Sequence, residues 1–388
     1  MSRSQRISAP TLRVDLSAVA HNVRLLRQRS GSELMAVVKA DGFGHDATAV
    51  AATALANGAT WLGTATIDEA LTLRADGIEQ APLLAWLHPL DADFEAAIRA
   101  GVDLAVPSLE HLQLIRYAAR RAGRPAAVHL HADLGMSRDG CPPADWIRLC
   151  HDAERLQSGG TVEVVGIMGH LGCAATPNHP QNRVGIEAFA RSTAVARAHG
   201  LRPRWRHLAA TPAVLALPAA RAVMARVGAG LYGIDPARTS APLRGAVTLS
   251  APVVAVREVD AGTPIGYDAA YVTPGRTRLA QVAIGYADGL PRAASASSGG
   301  GADVWLGGRR CRVVGLISMD QMVVDIGDTP VVPGDPAIVF GPGHHGEPTL
   351  REWARAAGTI EHDIVTGLKG RVRRVLDQDD HVGTEPRP

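Results

Sequence analysis

The chain is 388 residues long and carries 40 Lys plus Arg against 38 Asp plus Glu, a formal net charge of +2. At about 150 residues per domain, that length asks for two or three domains, or one large barrel with an appendage, and excludes a small stapled module. The near-balanced charge gives no electrostatic reason to expect a nucleic-acid or membrane-surface partner, and 46% hydrophobic residues supply a large core.

The opening residues MSRSQRISAP contain no apolar stretch, and no run of about 18 apolar residues follows, so neither a secretory signal nor a membrane span is expected. Short apolar runs then recur: LMAVVKA (34–40), TWLGTAT (60–66), PLLAWL (82–87), DLAVPS (103–108), AAVHLHA (126–132), VEVVGIMGHL (162–171), RWRHLAA (204–210) and AVMARVGAGLYG (222–233). Between most of them lie amphipathic segments of helical length, such as SAVAHNVRLLRQRS after Asp15, EHLQLIRYAARRAG ending at Gly123 and EAFARSTAVARAHG ending at Gly200. Eight buried strands alternating with helices predict an α/β fold, an N-terminal (β/α)8 TIM barrel over residues 11–245.

Beyond residue 246 the rhythm changes to strand-like runs between Gly and Pro turns: VTLSAPVVAVREV, LAQVAIGYADGL, CRVVGLISMDQMVVDI and PAIVF. These predict a mostly β C-terminal domain over 246–378 with one helix, because Thr349 and Glu352 have capping-box spacing before LREWARAA and Gly358 closes it. Gly299, Gly300 and Gly301 follow SASS and read as a flexible loop, since no P-loop Lys-Ser/Thr comes after them. The polar tail 379–388 reads as disordered. The four cysteines, Cys141, Cys150, Cys173 and Cys311, form no CxxC pair, so they read as reduced structural thiols of a cytoplasmic protein.

In a barrel of this kind the site sits at the C-terminal ends of the strands, so the residues closing each run matter most. The first run ends in Lys39, which is either a lysine snorkelling at the rim or a desolvated amine able to react with a carbonyl group. The eighth ends in Arg226, Val227, Gly228, Ala229 and Gly230, where small residues either allow close packing or let backbone amides approach an anion. His170 closes the sixth run, and Arg138 lies just beyond the fifth. Together these groups favour an anionic substrate and cofactor. No carboxylate and histidine cluster suited to a metal is evident; His344 and His345 read as a polar turn.

AVVKADGFGHDA around Lys39 resembles the pyridoxal-phosphate lysine motif of the alanine racemase family, a group of fold-type III pyridoxal-phosphate enzymes. LGMSRDG, GIMGHL, RVGAGLYG, GYDAAY, AIGYADGLPR and SMDQMVVDIGD follow in that family's order and spacing, so the resemblance covers nearly the whole chain. It implies an isomerase that uses pyridoxal 5'-phosphate to interconvert L- and D-alanine, built as a head-to-tail homodimer in which the C-terminal domain completes the partner's site. Lys39 is then the cofactor lysine and one of two acid/base catalysts, and Tyr267 the opposing tyrosine, acting in the partner subunit's site. Arg226 would face the pyridine nitrogen, and His170 would link it to the tyrosine. Arg138 would lie near the cofactor's phenolic oxygen and the substrate carboxylate, with Met319 and Asp320 as the partner's contribution to that carboxylate's surroundings. Thr211, Gly228 and Ala229 fall where the family grips phosphate.

The chain departs from the family's pattern at several of these places. Phe43 stands where tyrosine is usual, Ala210 and Thr211 replace an Asn-Ser pair, and His362 replaces a tyrosine that contacts phosphate and narrows the entrance. His131 occupies a position where lysine is common, sometimes carbamylated, and Leu134 replaces a threonine. These departures keep two alternatives open: a paralogous racemase for another small or polar amino acid, and a cofactor-binding protein without turnover. A decarboxylase is disfavoured because GYDAAY and SMDQ stand in place of a Cys-Asp substrate motif.

Overall fold

A computed structural model describes residues 7–295 and 301–377. Contacts divide the chain into two units: Ala18–Arg244, and the residues up to Ser17 together with those from Gly245 onward. Gly299, Gly300 and the tail from residue 379, read from sequence as flexible or disordered, lie outside the described residues.

The first strand, β1 (Thr11–Asp15), is where the structure corrects the expected boundary. Assigned by sequence to the barrel, it pairs instead with two strands of the second unit, antiparallel to β10 (Val247–Val259) and parallel to β18 (Arg373–Asp377). Its burial alternates, with Leu12 and Val14 buried and Arg13 exposed, which suits a half-solvated sheet and not a barrel wall buried on both faces.

The barrel consists of β2 (Glu33–Val37), β3 (Trp61–Thr64), β4 (Leu83–Ala85), β5 (Val102–Val106), β6 (Ala126–His131), β7 (Val162–Met168), β8 (Trp205–Ala210) and β9 (Met224–Val227), closed in that order. All neighbours are parallel, and β2 pairs with β9 to complete the ring. Each of the eight apolar runs read from the sequence is one of these strands. Between them lie helices whose ends follow local chemistry. Ile67–Ala75 starts at a Thr66–Glu69 capping box, and Leu109–Ala122 is capped by Ser108 and stopped by Gly123 in the left-handed conformation. The inside of the barrel is filled by Met35, Trp61, Leu84, Ala105, Met168 and Met224, with Trp86 and Trp205 packed against them.

The second unit is an eight-stranded sheet in the order β13-β16-β15-β14-β17-β10-β1-β18, with an additional β10–β13 pairing that joins the two ends of its first six strands. The remaining members are β13 (Thr277–Val282), β14 (Asp303–Leu306), β15 (Arg309–Val314), β16 (Met322–Asp325) and β17 (Pro336–Phe340). A separate two-stranded ribbon, β11 (Pro264–Ile265) and β12 (Tyr271–Val272), carries the Tyr267 turn. The long run CRVVGLISMDQMVVDI is two strands, β15 and β16, parted by a loop that holds Met319 and Asp320. The helix expected after Thr349 is present as Leu350–Ala356 with its capping box, and a second one, Glu361–Gly367, carries His362.

Candidate active site

Lys39 lies just beyond β2, separated from it by Val38, and opens an unusual turn. Ala40, Asp41, Gly42 and Phe43 all have φ between 52° and 61°, four successive residues in the left-handed region. That conformation costs about 1–2 kcal/mol for each non-glycine residue, so the surroundings must over-determine it. They do: Glu69 Oε1 accepts the Ala40 amide at 2.7 Å, Asp41 Oδ1 accepts the Ala47 amide at 3.0 Å, and the Gly42 amide returns to the Val38 carbonyl at 2.8 Å. The turn leaves Lys39 half-buried, its Nζ 6.0 Å from the Trp86 ring centre. Burial, then the charge of Arg138, push the Lys39 amine below its ordinary range, against a smaller pull from Glu69. A lysine so placed is a better nucleophile than a solvated one.

Arg226, on β9, is buried and fixed by three hydrogen bonds: one guanidinium nitrogen donates to His207 Nδ1 at 2.9 Å and to the His207 carbonyl at 2.7 Å, the other to the Gly169 carbonyl at 2.6 Å. Burial first, and Arg138 second, lower its pKa to about 10, which leaves it a cation at neutral pH. His207 Nε2 lies 2.8 Å from His129 Nδ1, and His129 Nε2 lies 3.1 Å from Asp103 Oδ2. Arginine only donates, so His207 Nδ1 accepts and its proton sits on Nε2. That nitrogen donates to His129, which in turn donates to Asp103. A one-way hydrogen-bond chain thus crosses the barrel interior from β9 through β8 and β6 to β5.

The expectation for His170 is corrected in one respect. Among the described residues no hydrogen bond joins it to Arg226, because the guanidinium is turned inward to His207 and Gly169. His170 is nevertheless held neutral, its pKa pushed down to about 3 by burial and then by Arg226, Arg138, His131 and Lys39. His131 behaves alike, lowered to about 4 by burial and opposed by Asp139, whose Oδ2 stands 3.6 Å from its Nδ1. His131, Asp133, Arg138, Asp139 and His170 line one small cavity. Arg138 is exposed, with no hydrogen-bond or ion-pair partner among the described residues.

After β9 the backbone makes a short 3-10 turn, Ala229–Tyr232. A Cβ on Gly228 would sit 2.9 Å from Phe43 Cζ, so the aromatic ring of the left-handed turn packs on the glycine itself. Phe43 also stacks at 4.8 Å on Tyr232, a buried tyrosine whose hydroxyl reaches the Val37 carbonyl at 3.3 Å. Thr211 Oγ1 accepts the Gly230 amide at 3.2 Å, which leaves its own proton to give elsewhere.

Of the site residues expected in the second unit, Tyr267, Met319 and Asp320 lie on turns and loops and His362 on a short helix. Tyr267 is 65% exposed, and the backbone around it is strained: Gly266 has φ 71° and ψ −160°, a region open only to glycine, and Asp268 and Ala269 follow with φ of 58° and 47°. Met319 is exposed on the β15–β16 loop beside Asp320, and His362 is half-buried. Four residues that shape the barrel end were not singled out from the sequence: Glu69, Asp103, His129 and His207. Thr66 and Glu69 have capping-box spacing, and His129 and His131 alternate along one strand, so polar residues facing a barrel interior were the available signal.

Comparison with known proteins decides the family. The alanine racemase N-terminal domain matches residues 14–236 and the alanine racemase C-terminal domain residues 246–376. The chain belongs to the alanine racemase family. The alanine racemase of Thermobifida fusca is 46% identical over 94% of this chain and 96% of its own length. That of Mycobacterium tuberculosis strain H37Rv is 44% identical over 95% and 96%. Among solved structures, alanine racemase from D-cycloserine-producing Streptomyces lavendulae superposes with a TM-score of 0.92 at 43% identity, covering 96% of this chain and 98% of that one. Alanine racemase from Bartonella henselae with covalently bound pyridoxal phosphate gives 0.85 at 27%, covering 96% and 100%. The racemase fold is therefore present from barrel to β unit.

Proposed function

We propose that this racemase interconverts L- and D-alanine with pyridoxal 5'-phosphate as cofactor. The observation that carries the reading is Lys39: a half-buried amine with a lowered pKa, just beyond the first barrel strand of a chain in this family. The residues present fit the cofactor. Its aldehyde would be held by Lys39, and its phosphate by the Gly228 and Ala229 amides and the Thr211 hydroxyl. Its ring nitrogen would face Arg226, whose three inward bonds leave donors over. Three cations, Lys39, Arg138 and Arg226, suit a ligand bearing phosphate and phenolate charge.

Pyridoxal phosphate supplies the electron sink that makes the Cα proton of an amino acid removable. The chain supplies two faces. Racemisation removes a proton from one side of Cα and delivers one to the other, so two bases on opposite sides serve better than one that migrates. Lys39 acts on one face and Tyr267 on the other. Arg138 pairs with the substrate carboxylate, its guanidinium having no internal partner to give up. His170, held neutral, can accept or donate a hydrogen bond beside Arg226 without adding charge.

Tyr267, Met319 and Asp320 stand on loops of the β unit, and we infer that a second subunit presents them, which makes the active form a homodimer. Four cysteines with free thiols support a reducing, cytoplasmic setting. His362 and Phe43, where the family resemblance expects tyrosines, favour a second reading: a racemase for another small or polar amino acid. One experiment separates them. The protein is incubated with pyridoxal phosphate and a panel of single L- and D-amino acids, and the products are resolved on a chiral column. Alanine converted fastest in both directions supports the proposal; a different preferred amino acid supports the second reading; no conversion of any refutes both.

A further inference from the structure

The loop that carries Met319 and Asp320 is gripped from one side by the segment Gly285–Asp288. The Tyr286 amide donates to the Ser318 carbonyl at 3.1 Å and the Ala287 amide to the Met319 carbonyl at 2.9 Å. The two backbones are in contact: a Cβ on Gly285 would fall 2.3 Å from the Ser318 oxygen and 2.4 Å from the Met319 oxygen. Asp288, 1% exposed, ends this segment and organises it. Its carboxylate accepts the Gly285 amide at 2.9 Å and a bidentate pair from Arg371 at 2.8 and 3.0 Å. Its carbonyl accepts the Lys369 amide at 3.1 Å, which ties the chain just before Arg371 to the same point.

Arg371 then has one guanidinium nitrogen left, and that nitrogen meets Asp320 Oδ1 at 2.9 Å. A planar fork held by a buried carboxylate is a rigid donor. It fixes the direction of the Asp320 side chain and neutralises it. We propose that Arg371, anchored by Asp288, is a positioning residue for substrate binding: it holds the Met319–Asp320 loop in place and screens the Asp320 carboxylate from the substrate's own carboxylate. The inference rests on the reading above in which Met319 and Asp320 border the substrate carboxylate. Without Arg371 a free carboxylate would face an incoming anion, and substrate binding would weaken while the proton transfers at Lys39 and Tyr267 kept their groups.

The test uses the holoenzyme and compares wild type, Arg371→Gln, Arg371→Lys, Asp320→Asn and the double variant Arg371→Gln/Asp320→Asn in initial-rate assays. Backbone hydrogen exchange over residues 316–322 is followed in each. We expect Arg371→Gln to raise KM on the order of tenfold with kcat within about twofold, the loss of one charge-assisted contact near a charged substrate. Exchange in the loop should quicken. Arg371→Lys should recover part of the KM, and the double variant should recover more than half of it, because removing the Asp320 charge removes the repulsion. Two outcomes overturn the proposal: an unchanged KM in Arg371→Gln, or equal falls in kcat with no rescue by Asp320→Asn, which would mark Arg371 as a structural tie only. Wild-type protein inactive on alanine would count against the substrate reading instead. In that event loop exchange in Arg371→Gln equal to wild type overturns the positioning role, and faster exchange restored by Arg371→Lys supports it.

Discussion

Acidification should unfold this protein steeply, and the slope can be worked from four histidines. His88 and His131 are lowered to about 4, His170 to about 3, and His207 well below its usual range, each chiefly by burial. In the folded state all four are neutral near pH 5. In the unfolded chain each takes a proton at about pH 6.5. The unfolded state therefore binds more protons, and stability falls as pH drops. The loss begins near pH 6.5 and continues to about pH 4 for His88 and His131 and about pH 3 for His170. Each group contributes up to about 1.4 kcal/mol per pH unit, so four together give roughly 5 kcal/mol per unit around pH 5. Against a typical total of about 5–15 kcal/mol, that is decisive within one to three units. The assay is urea-induced unfolding at fixed pH values from 7.5 to 4.5, followed by fluorescence, with proton uptake on unfolding measured at pH 5. About four protons should be taken up beyond those of the carboxylates. His88, on the loop after β4, packs edge-on against Phe94 and its carbonyl meets the His111 ring, so His88→Phe should lower the uptake by about one. A stability independent of pH between 6.5 and 5 would refute the reasoning.

Three further outcomes are expected. Gly228→Ala places a methyl group 2.9 Å from Phe43, an overpacking that should cost about 1–3 kcal/mol in thermal unfolding, and Phe43→Leu in the same chain should recover most of it. Tyr267→Phe should abolish net racemisation while solvent deuterium still enters the D-substrate through Lys39; racemisation within a few fold of wild type would point to one mobile base. Asp103→Leu removes the acceptor at the end of the barrel's hydrogen-bond chain, so nitrogen NMR should show His129 Nε2 losing its downfield hydrogen-bonded proton, whereas Asp103→Asn should retain it.

The barrel was legible because its strands are predominantly apolar runs, four to seven residues long in all but β4, separated by amphipathic helical segments. Local periodicity is enough for that. The β unit was legible in β10 and β17, which the apolar runs match residue for residue. It was not legible in β1 or β18, whose pairing spans more than 300 residues of chain and has no local signal. The ends of the strands offered Lys39, His170 and Arg226 as candidates, and the loop beyond β6 offered Arg138, since titratable side chains leaving a buried run stand out. The hydrogen-bond chain was hidden for the opposite reason. Asp103, His129 and His207 lie within their strands, where each looks like an isolated polar interruption until closure of the barrel brings three strands together. Arg371 was hidden in a basic C-terminal run and acquires meaning only from its distance to Asp320.

The direction of that buried chain bears on what Arg226 can do. Every donor in it points away from the barrel mouth: Arg226 to His207, His207 to His129, His129 to Asp103. To send a proton the other way, both imidazoles would have to exchange tautomers, and His207 would have to present a proton to an arginine that has no lone pair to take it. The Asp103 carboxylate instead balances the guanidinium charge through two polarised rings, which helps a buried cation survive where desolvation has already lowered its pKa to about 10. Arg226 therefore offers hydrogen bonds to whatever lies at the mouth and gives up no proton. In the function proposed above, an acceptor there would stay unprotonated, electron withdrawal through it would stay limited, and the proton transfers would fall to the two proposed bases, Lys39 and Tyr267.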